Sequence, residues 1–184
     1  MTARERFLTA LNNKKPDRLP CQVHNFMGYY LKTYLKGMTD LQAYEYLDMD
    51  VVLYREPVYI YDDKDLADWD KKIKVSESGG TSEWELEITT PEGVLRQKGA
   101  TNQYTGWITE QLVKDEKDFE IWNKYVPLPV KVDWTPVTEA KKLIGDRGIV
   151  RGSYFDFGQG SPWQSFVGFL YETQQAIIDC FDKP

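Results

Sequence analysis

The chain has 184 residues, 41% of them apolar, with 29 acidic and 23 basic side chains and a formal charge of −6; this suffices for one compact domain or for part of a larger one. That charge argues against nucleic acid and anionic lipid as partners, because the surface field repels both, and the densest basic run, Lys71-Lys72-Ile73-Lys74, is flanked by Asp68 and Asp70 as on a solvated face. Two cysteines without CxxC or His-x-Cys spacing exclude a disulfide framework, and a charged start with no apolar run near the ~18 residues of a membrane span makes the cytoplasm the expected compartment.

Thr2-Ala3-Arg4-Glu5 fits a capping box and opens a helix with Phe7, Leu8, Ala10 and Leu11 on one stripe. Lys14 to Pro20 ends it, since Pro16 and Pro20 each fix φ and disfavour helix in the residue before. Residues 21–25 then read as a short first strand. Helical spacing returns from Gly28 to Leu35, and Thr39-Asp40 starts a helix through Leu47. The run Met49-Asp50-Val51-Val52-Leu53-Tyr54 has the pattern of a buried parallel strand, covered on both faces.

Residues 73–113 change rhythm. Ile73 and Val75, then Trp84, Leu86 and Ile88, alternate with polar residues, and Gly79-Gly80 and Pro91-Glu92-Gly93 supply turns, which predicts an antiparallel meander. It is read as a β-rich insertion over 72–113, in a lid-like position on a barrel. Helices are expected at 115–122 and 136–144, a strand at 148–152, a helix from Ser161-Pro162-Trp163, and a last helix at 173–181. The alternation predicts an α/β fold with a parallel sheet. Three or four strand–helix units, against the eight of a complete barrel at ~250 residues, predict the opening portion of a larger domain spanning 1–184.

Sites on parallel α/β sheets lie at the carboxyl ends of strands. That rule selects His24 and Asn25, then Tyr54, Arg55 and Glu56, then Tyr154, Asp156 and Gln159. His24, the single histidine, offers proton transfer or metal ligation, although a lone histidine on a strand is more often structural. Arg55 offers its planar donor fork to a carboxylate or phosphate, or an internal pair with Glu56. Asp156, among aromatics and glycines, offers general acid–base chemistry if burial raises its pKa, or turn formation. No GxGxxG and no lysine-bearing phosphate loop occurs, which leaves NAD and ATP without support, and no metal-ligand spacing is present.

In order along the chain, Thr2-Ala3-Arg4-Glu5-Arg6-Phe7-Leu8-Thr9-Ala10-Leu11, Lys15-Pro16-Asp17-Arg18-Leu19-Pro20, Leu47-Asp48-Met49-Asp50-Val51-Val52, Thr90-Pro91-Glu92-Gly93 and Gly160-Ser161-Pro162-Trp163 resemble landmarks of the uroporphyrinogen decarboxylase superfamily. The resemblance implies the N-terminal part of a (β/α)8 TIM barrel with an antiparallel β insertion. It departs from the decarboxylases: their Arg-Gln-Ala-Gly-Arg motif is Asn25-Phe26-Met27-Gly28-Tyr29 here, their catalytic aspartate falls at Arg55, and their tyrosine after the Pro-Trp motif falls at Gly168.

The corrinoid-dependent methyltransferases of the superfamily lack that signature, and the chain looks more like that branch. The resemblance then implies methyl transfer between a small methoxy or methyl donor, a corrinoid protein and an acceptor. It places zinc, if used, in a second half beyond these residues and the corrinoid on a partner protein, with a small-molecule substrate and a homodimer as the other associations. His24 and Asp156 are the expected catalytic residues, and Asn25, Tyr54, Arg55, Glu56, Tyr154 and Trp163 the expected substrate contacts. Decarboxylation of a porphyrinogen or other carboxylate is the first alternative. A non-catalytic half-barrel that binds a partner chain is the second.

Overall fold

The computed structural model describes residues 1–152, 164 and 166–182. They divide into two compact units, one holding 1–58 and 132–152, the other 59–131 with 164 and 166–182. The fold is mixed α/β, with no closed barrel among the described residues. No helix among them is long and apolar enough to cross a membrane.

In the first unit, helix α1 (Ala3–Leu11) begins at the Thr2 capping box, in which Thr2 and Glu5 satisfy each other's backbone amides. Helix α2 spans Gly28–Tyr34. Helix α3 (Asp40–Tyr46) starts on a second capping box, Thr39 with Gln42. Strand β1 (Val51–Tyr54) buries Val51, Val52 and Leu53 in succession, as a strand covered on both faces must. It pairs in parallel with the later strand β8 (Gly148–Arg151), in register from Val51 opposite Gly148 to Tyr54 opposite Arg151. The core joins Ala43 and Tyr44 of α3, Val51 and Leu53 of β1, Phe26, Leu35 and Ile144.

Residues 21–25 correct the expected first strand: they adopt no regular structure. The Cys21 amide donates to the Asp50 carboxylate (2.8 Å) and not to a backbone carbonyl, so no ladder starts there. The segment is held nonetheless. The Asp50 amide donates to the Cys21 carbonyl (2.8 Å) and the Tyr44 hydroxyl to the Val23 carbonyl (2.9 Å).

Strand β2 (Val58–Tyr61), helix α4 (Asp63–Ala67), strand β3 (Asp70–Ser78), β4 (Thr81–Thr90), β5 (Gly93–Thr101), β6 (Gly106–Glu110), helix α5 (Glu116–Tyr125), β7 (Pro129–Asp133) and α6 (Thr135–Ile144) follow β1. β2 and β7 pair with each other where the chain leaves the first unit and returns to it. α6 leads through a 3-10 turn at Gly145–Arg147 into β8.

In the second unit, β3 to β6 form an antiparallel sheet in sequence order. Gly79 and Gly80 make the β3–β4 turn with φ +56° and +81°, the positive values a two-residue hairpin requires. One face buries Ile88 and Leu95 against Ile121 of α5, with Trp69 and Leu112. Edge strand β3 is exposed along its length, and its lysines discourage further strand pairing. A π turn (Phe166–Leu170) and helix α7 (Thr173–Asp182) also belong to this unit. The helix expected from Ser161 lies outside the described residues.

Candidate functional site

The carboxyl end of the β1–β8 ladder carries the cluster. Tyr54 closes β1, and Arg151, directly opposite, closes β8 with its guanidinium carbon 4.9 Å from the centre of the Tyr54 ring, in reach of a cation–π interaction. The His24 ring centre lies 5.9 Å from that of Tyr54, tilted by 58°. Arg55 extends the ladder by donating its amide to the Arg151 carbonyl (2.9 Å), while its guanidinium donates to the Tyr54 carbonyl (2.7 Å). Gly152 must be small here, because a Cβ would sit 2.7 Å from the Arg55 carbonyl oxygen.

The exposures divide the labour. His24, Arg55 and Arg151 are exposed and half-buried Tyr54 is the platform between solvent and core. Its hydroxyl is buried and has no hydrogen-bond partner among the described residues, at a cost of about 1–3 kcal/mol. The neighbouring Tyr44 phenol is held above its ordinary pKa, first by burial and then by the charge of Asp40, so it stays protonated at neutral pH and keeps donating to Val23. That bond fixes the residue before His24.

Of the residues singled out in the sequence, His24, Tyr54 and Arg55 come together here. Asn25 and Glu56 are exposed neighbours of that group. Tyr154, Asp156, Gln159 and Trp163 lie outside the described residues. Arg151 was missed because the strand-end rule was applied only beyond the last residue of that strand. No trio of His, Cys, Asp or Glu among the described residues is placed to hold a metal ion.

Compared with protein-family models, curated proteins and solved structures, the chain has no match. The arrangement therefore has to be read from its own chemistry. It sets one imidazole and the Arg151 guanidinium against an aromatic ring, with the Arg55 guanidinium on the adjoining backbone carbonyl, and such groups can anchor an anionic group and move a proton beside it.

The amino end of β1 carries an ion-pair network that sequence spacing did not reveal. Asp50, 2% exposed, accepts from Arg6, twice from Arg18 (2.7 and 3.1 Å) and from the Cys21 amide. Arg6 also donates to both carboxylate oxygens of Asp17 (2.8 and 3.1 Å) and to the Met1 carbonyl. It lies at the end of the strand opposite to the cluster, where polar groups in parallel α/β folds serve stability more often than catalysis. We assign it to holding α1, the Lys14–Pro20 turn and Cys21 on β1.

The Arg6 hydrogen bonds, with the Arg18 amide, hold the Asp17 carboxyl well below its ordinary 3.8. A carboxyl depressed by folding adds stability above its unfolded pKa and loses it as pH falls through the folded one. Unfolding midpoints should accordingly decline as pH drops below about 4, and Asp17→Asn should flatten that decline while lowering the neutral-pH midpoint. Parallel pH profiles for the two proteins would remove Asp17 from this role.

Proposed function

We propose that the chain forms the N-terminal part of a (β/α)8 barrel resembling the uroporphyrinogen decarboxylase superfamily, with β3–β6 as its antiparallel insertion, and acts in corrinoid-dependent methyl transfer. Support for the fold comes from the ordered sequence landmarks and from a parallel strand pair in which each strand is preceded by a helix, α3 before β1 and α6 before β8. Support for the site comes from one observation: His24 and Arg151 both approach the Tyr54 ring at the carboxyl end of that pair.

In this reading a small methoxy or methyl donor carrying a carboxylate docks at the ladder end. Arg151 and Arg55 take the carboxylate, the Tyr54 ring takes the apolar body, and His24 supplies a proton to the oxygen that loses the methyl group. A corrinoid on a partner protein would supply the nucleophile that accepts the methyl group. The described residues do not provide a metal site, and no step is assigned to zinc.

Binding of a methoxylated benzoate to the purified chain, measured by calorimetry, tests the site. Arg151→Ala and Arg55→Ala should each weaken it about tenfold, the equivalent of ~1.4 kcal/mol. Unchanged affinity in both would sink the anchoring role. Transfer of the methyl group to added cob(I)alamin, followed by its absorbance change, tests the reaction, and binding without transfer would leave a binding module.

Carboxylate lyase chemistry is the second reading. Two arginines at the carboxyl end of the β1–β8 ladder, replacing the pair absent from Asn25-Phe26-Met27-Gly28-Tyr29, are what a substrate with several carboxylates would need. Carbon dioxide release from such a substrate with no corrinoid present would put this reading first.

A further inference from the structure

The second unit contains a cavity of about 470 Å³, within the size range that holds small molecules. It lies between the first turn of α5, the π turn and α7. Its described walls carry three aromatic rings, Phe119, Phe166 and Tyr171, and three carboxyl side chains, Asp115, Glu116 and Asp179, with no basic residue among them.

The walls are set before any ligand arrives. The wide π turn lets the Tyr171 amide donate to the Phe166 carbonyl (2.7 Å), and the two rings lie 5.4 Å apart. Phe119 meets Phe166 edge-on at 6.3 Å. The Val113 amide donates to the Leu170 carbonyl (2.8 Å), tying the π turn to the segment that enters α5. Asp115 is fixed as the N-cap of α5, accepting from the Asp118 amide (2.8 Å), and Asp179 is braced by the Tyr171 hydroxyl (2.6 Å) and the Gln175 amide group (2.9 Å). A carboxylate has about four lone-pair positions, so Asp115 retains acceptor capacity.

The charge chooses the ligand. Among the described walls, three carboxylates outweigh the roughly half positive charge at the start of α5, and the three aromatic rings beside them add apolar surface. Burial, and then Asp179, push the Tyr171 phenol up to about 12, as expected where negative charge is already crowded. A metal ion is a poor match: these carboxylates do not converge as a ligand set, and ring faces offer a hard cation no oxygen. An alkylated ammonium group fits both kinds of wall, with its alkyl surface on the rings and its charge toward the acids.

We infer that this cavity binds a small organic cation of the alkylammonium class, independently of the reaction proposed for the first unit. Calorimetric titration of the whole chain with choline and with its neutral carbon isostere, 3,3-dimethylbutan-1-ol, tests it. Saturable choline binding at least tenfold tighter than the isostere is expected, and Asp179→Asn should weaken it about tenfold. Glu116→Gln and Phe119→Ala, at exposed positions, should weaken it several-fold with the melting midpoint unchanged, which serves if Asp179→Asn fails to fold. No saturable binding, equal affinity for the isostere, tighter binding of calcium or zinc ions, or unaltered affinity in the folded variants would each overturn the assignment.

Discussion

Asp50→Asn is expected to lower the stability of the first unit by about 3 kcal/mol. The side chain is almost wholly enclosed and receives hydrogen bonds only from cationic or amide donors: Arg6, both terminal nitrogens of Arg18, and the Cys21 backbone. Asparagine keeps the shape but has one acceptor oxygen in place of two and no charge. Its amino group would then point at a donor. Arg6 keeps Asp17, so the loss is set near the lower end of what breaking a buried pair costs. The Cys21 amide and Arg18 lose the carboxylate that anchors them beside the start of β1, and the segment leading to Val23 and His24 loosens with them. Denaturant unfolding should show the lower midpoint, and hydrogen exchange should speed up over Val51–Tyr54. A midpoint unchanged within error would mean that the network is ornamental. Removing the exposed Lys124–Glu92 pair of the second unit should move the midpoint little, because solvent screens such pairs.

The contrast between those two ion pairs also explains what was legible in the sequence. Local signals were readable: the Thr2–Glu5 box and the Thr39-Asp40 start signal open α1 and α3 as expected, and Gly79-Gly80 turns β3 into β4. The apolar run 51–54 read as a buried strand because nothing in it alternates. Long-range pairing was not readable. β2 and β7 are separated by the whole meander and α5, and neither carries an alternation strong enough to announce a strand by itself.

Residues 21–25 failed for the opposite reason. Their composition suits a strand, but the partner that reaches Cys21 is a side chain, so the ladder never forms. The candidate site shows the same division. Tyr54 and Arg55 follow a strand whose end was readable, and His24 was chosen for chemistry and the right neighbourhood, although it is delivered by an irregular segment. Arg151 joins them through a pairing with β1 across nearly a hundred residues, which periodicity cannot encode.

Gly148→Ala is the second large effect, because that pairing begins with two backbones in near contact. A Cβ at Gly148 would lie 1.8 Å from the Val51 carbonyl oxygen, 2.6 Å from its carbon and 2.8 Å from the Val51 Cβ. These atoms are backbone or rigid β-branched side chain, so no flexible group can swing away. The φ of Gly148 is 170°, extended backbone that any residue adopts, and the requirement is therefore for space alone. Alanine must push β8 from β1 at the first of four register pairs, Val51 opposite Gly148. The expected cost is about 3 kcal/mol, the upper range for forced overpacking. Gly145 is the control: its Cβ would meet nothing, but its φ of +53° with ψ −125° lies outside the basins an L side chain favours and makes alanine strained by about 2 kcal/mol. The two substitutions separate steric closeness from backbone conformation three residues apart in one chain. Gly148→Ala should lower the unfolding midpoint more than Gly145→Ala, and an unfolded Gly148→Ala chain beside a folded Gly145→Ala chain is the same result at its limit. In a folded Gly148→Ala protein the ladder's far end should also suffer, because Arg151 is aligned on Tyr54 through the three register pairs that remain and the Arg55 amide beyond them. Binding at Arg151 should weaken along with stability, and equal midpoints for the two variants would show that β1 and β8 do not approach closely enough to build the site.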